Sequence, residues 1–126
     1  MNRLLLIMLL SSLGLLTQQV RAHGNLQPDH PGGIVHIVGD LSFELVPVAG
    51  GVELYVEEDN EDLPSDGMTA KLTIIAGGVK TEVAMTPAGG NKLFAKGVKI
   101  PRGAKVAVLL TRQDKVTKIG ANFAVK

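Results

Sequence analysis

Three histidines, His23, His30 and His36, are the only ones in the chain, and they fall in one fourteen-residue run that reads His-Gly-Asn-Leu-Gln-Pro-Asp-His-Pro-Gly-Gly-Ile-Val-His. Imidazole nitrogen suits Cu(II), Zn(II) and Ni(II), and a free amine beside it favours Cu(II) most. If the chain is cut after Ala22, His23 becomes the amino terminus. Its amine and imidazole can then chelate one ion, with His30 or His36 completing the site and Asp29 or Asp40 adding an oxygen. The candidate metal ligands are therefore His23, His30, His36 and Asp40, and the metals are Cu(II) or Zn(II). The plain reading stands beside this one. The six-residue step from His30 to His36 is no established metal signature, a histidine cluster is a compositional hint, and His36 reads equally well as a residue on a strand face.

A second group of ligand-type side chains is acidic. Glu57, Glu58, Asp59, Glu61, Asp62 and Asp66 put six carboxylates in ten residues. The Asp-x-Asp-x-Asp-Gly order of a calcium loop is missing, so a solvated loop that keeps one end of a sheet soluble is the expectation. Met68 and Met85 lie far apart and read as core filler rather than Cu(I) ligands. The chain has no cysteine, which excludes thiol nucleophiles, thiolate metal sites and redox dithiols. It has no Gly-x-Ser-x-Gly elbow, and its glycine pairs join strands instead of opening helices, so they are not phosphate cradles. The expectation is a binding or interaction protein, not an enzyme.

The compartment follows from the first 22 residues. Arg3 precedes an almost wholly apolar run, Leu4 to Leu16, and Val20-Arg21-Ala22 places small residues at −3 and −1 of a cut after Ala22. These are the three regions of a secretory signal peptide. The apolar run is 13 residues, where a membrane-spanning helix needs about 20. The expected division is a signal peptide over 1–22, an N-terminal extension over 23–32 and one domain over 33–126, exported to the periplasm with no membrane span after cleavage. Removal of Arg3 and Arg21 leaves 11 basic against 12 acidic residues, a net charge of −1. Nothing in that balance favours nucleic acid, which calls for a clustered basic face.

Positioning these groups falls to short strands. No stretch has helical periodicity. Alternating, β-branched runs separated by glycine pairs recur instead, the mark of half-buried strands. Residues 33–38 and 41–48 read as the first two strands, and 52–57 alternates cleanly, with Val52, Leu54 and Val56 opposite Glu53, Tyr55 and Glu57. A long acidic loop is expected over 58–68. Residues 70–76 and 79–86 read as a hairpin across Gly77-Gly78, followed by short strands over 91–95, 105–111 and 116–125. Seven to nine short strands at even spacing predict an all-β, antiparallel β-sandwich, immunoglobulin-like in outline, with a small barrel as the other option. Aromatic residues make up 3% of the chain, too few for a stacking platform for sugars or bases.

The run His30-Pro31-Gly32-Gly33, with Gly39-Asp40, Phe43-Glu44-Leu45-Val46, Val52-Glu53-Leu54-Tyr55-Val56, Ala70-Lys71-Leu72-Thr73, Lys80-Thr81-Glu82-Val83 and Pro87-Ala88-Gly89-Gly90-Asn91-Lys92-Leu93, resembles a family of small uncharacterised proteobacterial periplasmic proteins. These are encoded beside heavy-metal efflux systems of the resistance-nodulation-division type. The resemblance covers most of residues 23–126. It implies a periplasmic accessory of heavy-metal homeostasis, with a periplasmic efflux adaptor as partner. That family carries further histidines where this chain has Ser42-Phe43-Glu44 and Glu58-Asp59, which leaves His23, His30 and His36 as the candidates here. A fainter similarity is to CopC-like copper carriers, through a leading histidine and the closing Phe123-Ala124-Val125-Lys126; their later Asp-x-His motif has no counterpart. A second expectation, of a different class, is a structural or interaction domain that binds no metal and docks on an efflux adaptor or another envelope protein.

Overall fold

The computed structural model describes residues 26–126. The expected signal segment 1–22 and the candidate ligand His23 lie outside the described residues.

The described chain is all-β, and its nine strands are connected antiparallel throughout. They are β1 (Ile34–Val38), β2 (Leu41–Val48), β3 (Gly51–Glu58), β4 (Glu61–Asp62), β5 (Thr69–Ala76), β6 (Val79–Pro87), β7 (Lys92–Lys96), β8 (Lys105–Thr111) and β9 (Lys118–Ala124). Eight of them form one path in the order β1-β2-β3-β7-β6-β5-β8-β9, and β4 folds back on β3. Strand β6 makes the corner. It pairs with β5 from Val79 to Met85 and then, through Thr86 and Pro87, with β7. The sandwich thus has two layers, β1-β2-β3-β7 and β6-β5-β8-β9. At the other end β1 lies against β9, so the sheet is nearly closed and barrel-like. Among the described residues no helix is long and apolar enough to cross a membrane.

Alternation decides which side chains face inward. From β3 come Val52, Leu54 and Val56, from β5 Leu72 and Ile74, and from β8 Val106, Val108 and Leu110, all buried. Phe43 and Leu45 of β2 and Leu93 of β7 join them. Met68 and Met85 are fully buried in the same core, in keeping with their reading as filler.

Strand β2 departs from simple alternation, because Glu44 and Val46 on its outward side are buried as well. The segment that covers Glu44 is the N-terminal extension. The acidic stretch differs from the expected open loop. Strand β3 continues to Glu58, turns through Asp59 and Asn60 with φ of 53° and 64°, and returns as β4 with Glu58 opposite Glu61. A two-residue turn with both φ values positive matches the twist of the flanking strands. Asp and Asn tolerate the left-handed region better than other side chains.

Candidate functional site

The outward face of β1-β2-β3-β7 is set by register. Glu44 sits opposite Val35 on one side and Tyr55 on the other, and Tyr55 sits opposite Lys92. Directly opposed residues share a face, so Val35, Glu44, Tyr55 and Lys92 form one row across the strands. The adjacent rows bring Ser42 beside Glu57 and Glu57 beside Asp62. A shallow cleft on this face is lined by Gln27, Asp29, Ser42, Glu44, Tyr55 and Glu57, among others.

His30 is locked onto this face by its own turn. The Gly33 N–H donates to the His30 carbonyl at 3.0 Å, and Gly32 has φ of 76°. Proline at the second position and a positive-φ glycine at the third are what a type II turn asks for. The turn returns the chain onto Glu44, and the approach leaves no room for a side chain at 33. A Cβ there would lie 2.2 Å from Glu44 Oε2.

Glu44 is 6% exposed, and a buried carboxylate is stable only when it is paired and hydrogen-bonded. His30 supplies both requirements: its backbone N–H donates to Oε2 at 2.9 Å and its Nδ1 meets Oε1 at 2.6 Å. A carboxylate accepts only, which assigns the ring proton to Nδ1 and leaves the Nε2 lone pair free in the neutral imidazole. The imidazole stacks on Tyr55, with centroids 4.0 Å apart and planes at 16°. The Tyr55 hydroxyl donates to Glu53 Oε2 at 2.8 Å, and Lys92 pairs with the same oxygen at 3.2 Å. His30 is thus held from below by a carboxylate and from the side by an aromatic ring, and its side chain is still 39% exposed.

Titration follows this arrangement. Burial and the Glu53 carboxylate that accepts its proton push the Tyr55 phenol up to about 12. Burial alone would raise Glu53, but the bonds from Tyr55 and Lys92, with the charges of Lys92 and His30, outweigh it and hold the carboxyl low. Glu57 is pushed up, first by burial and then by the negative charges of Asp29, Asp62 and Glu44.

The candidate ligands among the described residues, His30, His36 and Asp40, are not gathered in one place. His36 pairs with Phe43, which points into the core, so His36 faces the opposite side of β1-β2 from Glu44 and His30. There its ring meets Phe123 of β9 edge-on at 5.9 Å, packing the seam where the sheet nearly closes. Asp40 is exposed in the turn between β1 and β2, and its carbonyl accepts the Asp59 N–H at 3.0 Å. Among the described residues no group of three or more His, Asp or Glu side chains converges to hold a metal ion. Among the described candidates, His30 is the one that combines a built support with a ring nitrogen left free of it. Glu44 is the functional residue the sequence leaves unmarked, apart from its charge in an otherwise apolar run.

No family model matches the chain, and neither a curated protein nor a solved structure does.

Proposed function

We propose that the chain is a periplasmic accessory of heavy-metal homeostasis or efflux that binds Cu(II) or Zn(II) near its processed N-terminus. His23 supplies its amine and imidazole, and His30 supplies Nε2. The observation that carries this reading is the His30–Glu44 pair. A ligating histidine usually donates its other ring N–H to a carboxylate or carbonyl, which fixes the tautomer and raises the basicity of the donor nitrogen. His30 has that arrangement, on a buried carboxylate. His23 lies seven residues upstream, and seven residues reach at most about 25 Å when extended, so the terminus can fold back onto His30. His36, on the other face, is not part of this site.

Calorimetric titration of the protein beginning at His23 with each metal tests the reading. Saturable 1:1 binding is expected. Adding one residue before His23 displaces the chelating amine and should abolish it, and Glu44→Gln should weaken it by about 10–100-fold, the usual cost of losing such a support. Affinity that survives both changes would refute the proposal.

A second reading, docking on an efflux adaptor or another envelope protein without metal, is favoured by a different observation. From Val79 to Met85, β6 pairs only with β5, leaving an open strand edge of the kind that accepts an added strand. Co-purification of a partner unaffected by His23→Ala and His30→Ala would select this reading.

A further inference from the structure

The two outer faces carry opposite charge. On the layer β6-β5-β8-β9 the register aligns Lys80, Ile75, Lys105 and Ala124 in one outward row and Ala84, Lys71, Leu109 and Gly120 in another. Lys118 closes a third row, opposite Thr111. The outward positions of these four strands thus hold four lysines and one acid, Glu82, which is paired with Lys80 at 3.2 Å. Lys71, Lys105 and Lys118 have no ion pair among the described residues. Between them lie small residues and the exposed side chains of Ile75 and Leu109. The exposed apolar side chains Ile75 and Leu109 thus lie among cations on this face.

The matching surface is on the other layer. Asp29, Glu57 and Asp62 gather at the cleft over β2 and β3, and among the described residues none has an ion pair. Burial, and then the negative charges of Asp29, Asp62 and Glu44, push Glu57 up. In the eight-strand path, β2 and β3 hold the second and third places and β5 and β8 the sixth and seventh. In a nearly closed ring those places are diametrically opposite. Three cations and three carboxylates without an ion pair among the described residues thus lie on opposite sides of the molecule.

We propose that a second copy of this chain docks there, the lysine-ringed face of one molecule meeting the Asp29–Glu57–Asp62 face of the next. The contact is heterologous, so it repeats to form open chains or rings and does not close a two-fold dimer. Four strands spaced about 4.8 Å apart and seven residues long present roughly 400 Å². The pair buries about 800 Å² in total, below the range of stable interfaces. Association is accordingly weak, and because the attraction is between exposed charges it is strongly salt-dependent. This inference is independent of metal binding, and its test is run with chelator present.

The test is sedimentation equilibrium of the exported protein in about 0.01 M and about 1 M salt, where the Debye length falls from ~30 Å to ~3 Å. The expected result is a mass that rises with concentration past the dimer at low salt and returns to monomer at high salt. Lys71→Glu/Lys118→Glu and Glu57→Lys/Asp62→Lys, each checked for folding by circular dichroism, should each be monomeric alone, because like charge then faces like. Mixed at low salt, the two variants should associate, because the unaltered acidic face of the first meets the unaltered lysine face of the second and the two reversed faces are complementary as well. A mixture that stays monomeric at low salt would overturn the proposal. So would a wild-type protein that is monomeric at low salt, or one that stays monomeric while its lysine face binds vesicles of anionic lipid.

Discussion

A glycine at position 33 and a carboxylate at position 44 define each other. The Cβ of any other residue at 33 would fall on the Glu44 carboxylate, so Gly33→Ala must push Glu44 off His30 or move the turn. A cost of about 1–3 kcal/mol is expected, the range for overpacking and for a buried polar group that loses its partner. Denaturant unfolding measures it. The penalty should shrink in a Glu44→Ala background, a coupling that a double-mutant cycle isolates. Tyr55 offers a direct optical readout because it is the only tyrosine. Its phenolate absorbance should titrate near 12, and Glu53→Gln should bring it back towards 10, the ordinary value. The sign for stability follows. The folded protein holds the phenolic proton more tightly than the unfolded chain, so this contribution is complete below pH 10 and is lost as pH rises through about 12. A phenol that titrates at 10 in the folded protein would rule out the Tyr55–Glu53 bond.

At the level of strands and turns, most boundaries were legible. Clean alternation at 52–57, 70–76 and 105–111 gave β3, β5 and β8 nearly to the residue, because each strand has one face in the core and one in water. The Gly77-Gly78 hairpin was legible for a similar reason, since both residues need positive φ and glycine supplies it. The β3–β4 turn was hidden because Asp59-Asn60 is not one of the glycine-containing pairs that mark such turns, and its surrounding carboxylates suggested a solvated loop. Placing Val at Asn60 should cost about 1–2 kcal/mol, the price of a left-handed residue with a Cβ that cannot hydrogen-bond locally, and thermal unfolding reads it. The β8–β9 turn works through a side chain. Asp114 accepts the Val116 and Thr117 N–H groups at 2.9 and 2.8 Å. The Thr117 hydroxyl and backbone bonds, Thr117 first, hold the Asp114 carboxyl at about 2. Its contribution is present above the unfolded value near 3.8 and is lost as pH falls through about 2, and Asp114→Ala should remove that acid-side dependence. This turn also delays β9, which begins at Lys118 and not at Val116.

Across the whole molecule, what remained illegible depends on distance along the chain. The His30–Glu44 pair joins residues fourteen apart, and it exists only because a type II turn folds the N-terminal extension back over β2. The separation of His30 from His36 likewise follows from the pleat. His36 lies within β1 on the core-side parity, whereas His30 precedes the turn and reaches the outer face. The opposite charges of the two layers required the path β3-β7-β6-β5, which no local pattern encodes. The single core holds the assembly together without any disulfide. Phe43→Ala, at its centre and fully buried, should cost about 3–5 kcal/mol.

The central claim, a metal held between the processed N-terminus and His30, is tested most directly by following the histidine rings by NMR as Zn(II) is added to protein beginning at His23. Stoichiometric shifts of the His23 and His30 rings, with the His36 ring unmoved in its seam against Phe123, are the expected result. Shifts at His36 without His30, or no shift at His30 at all, would contradict it.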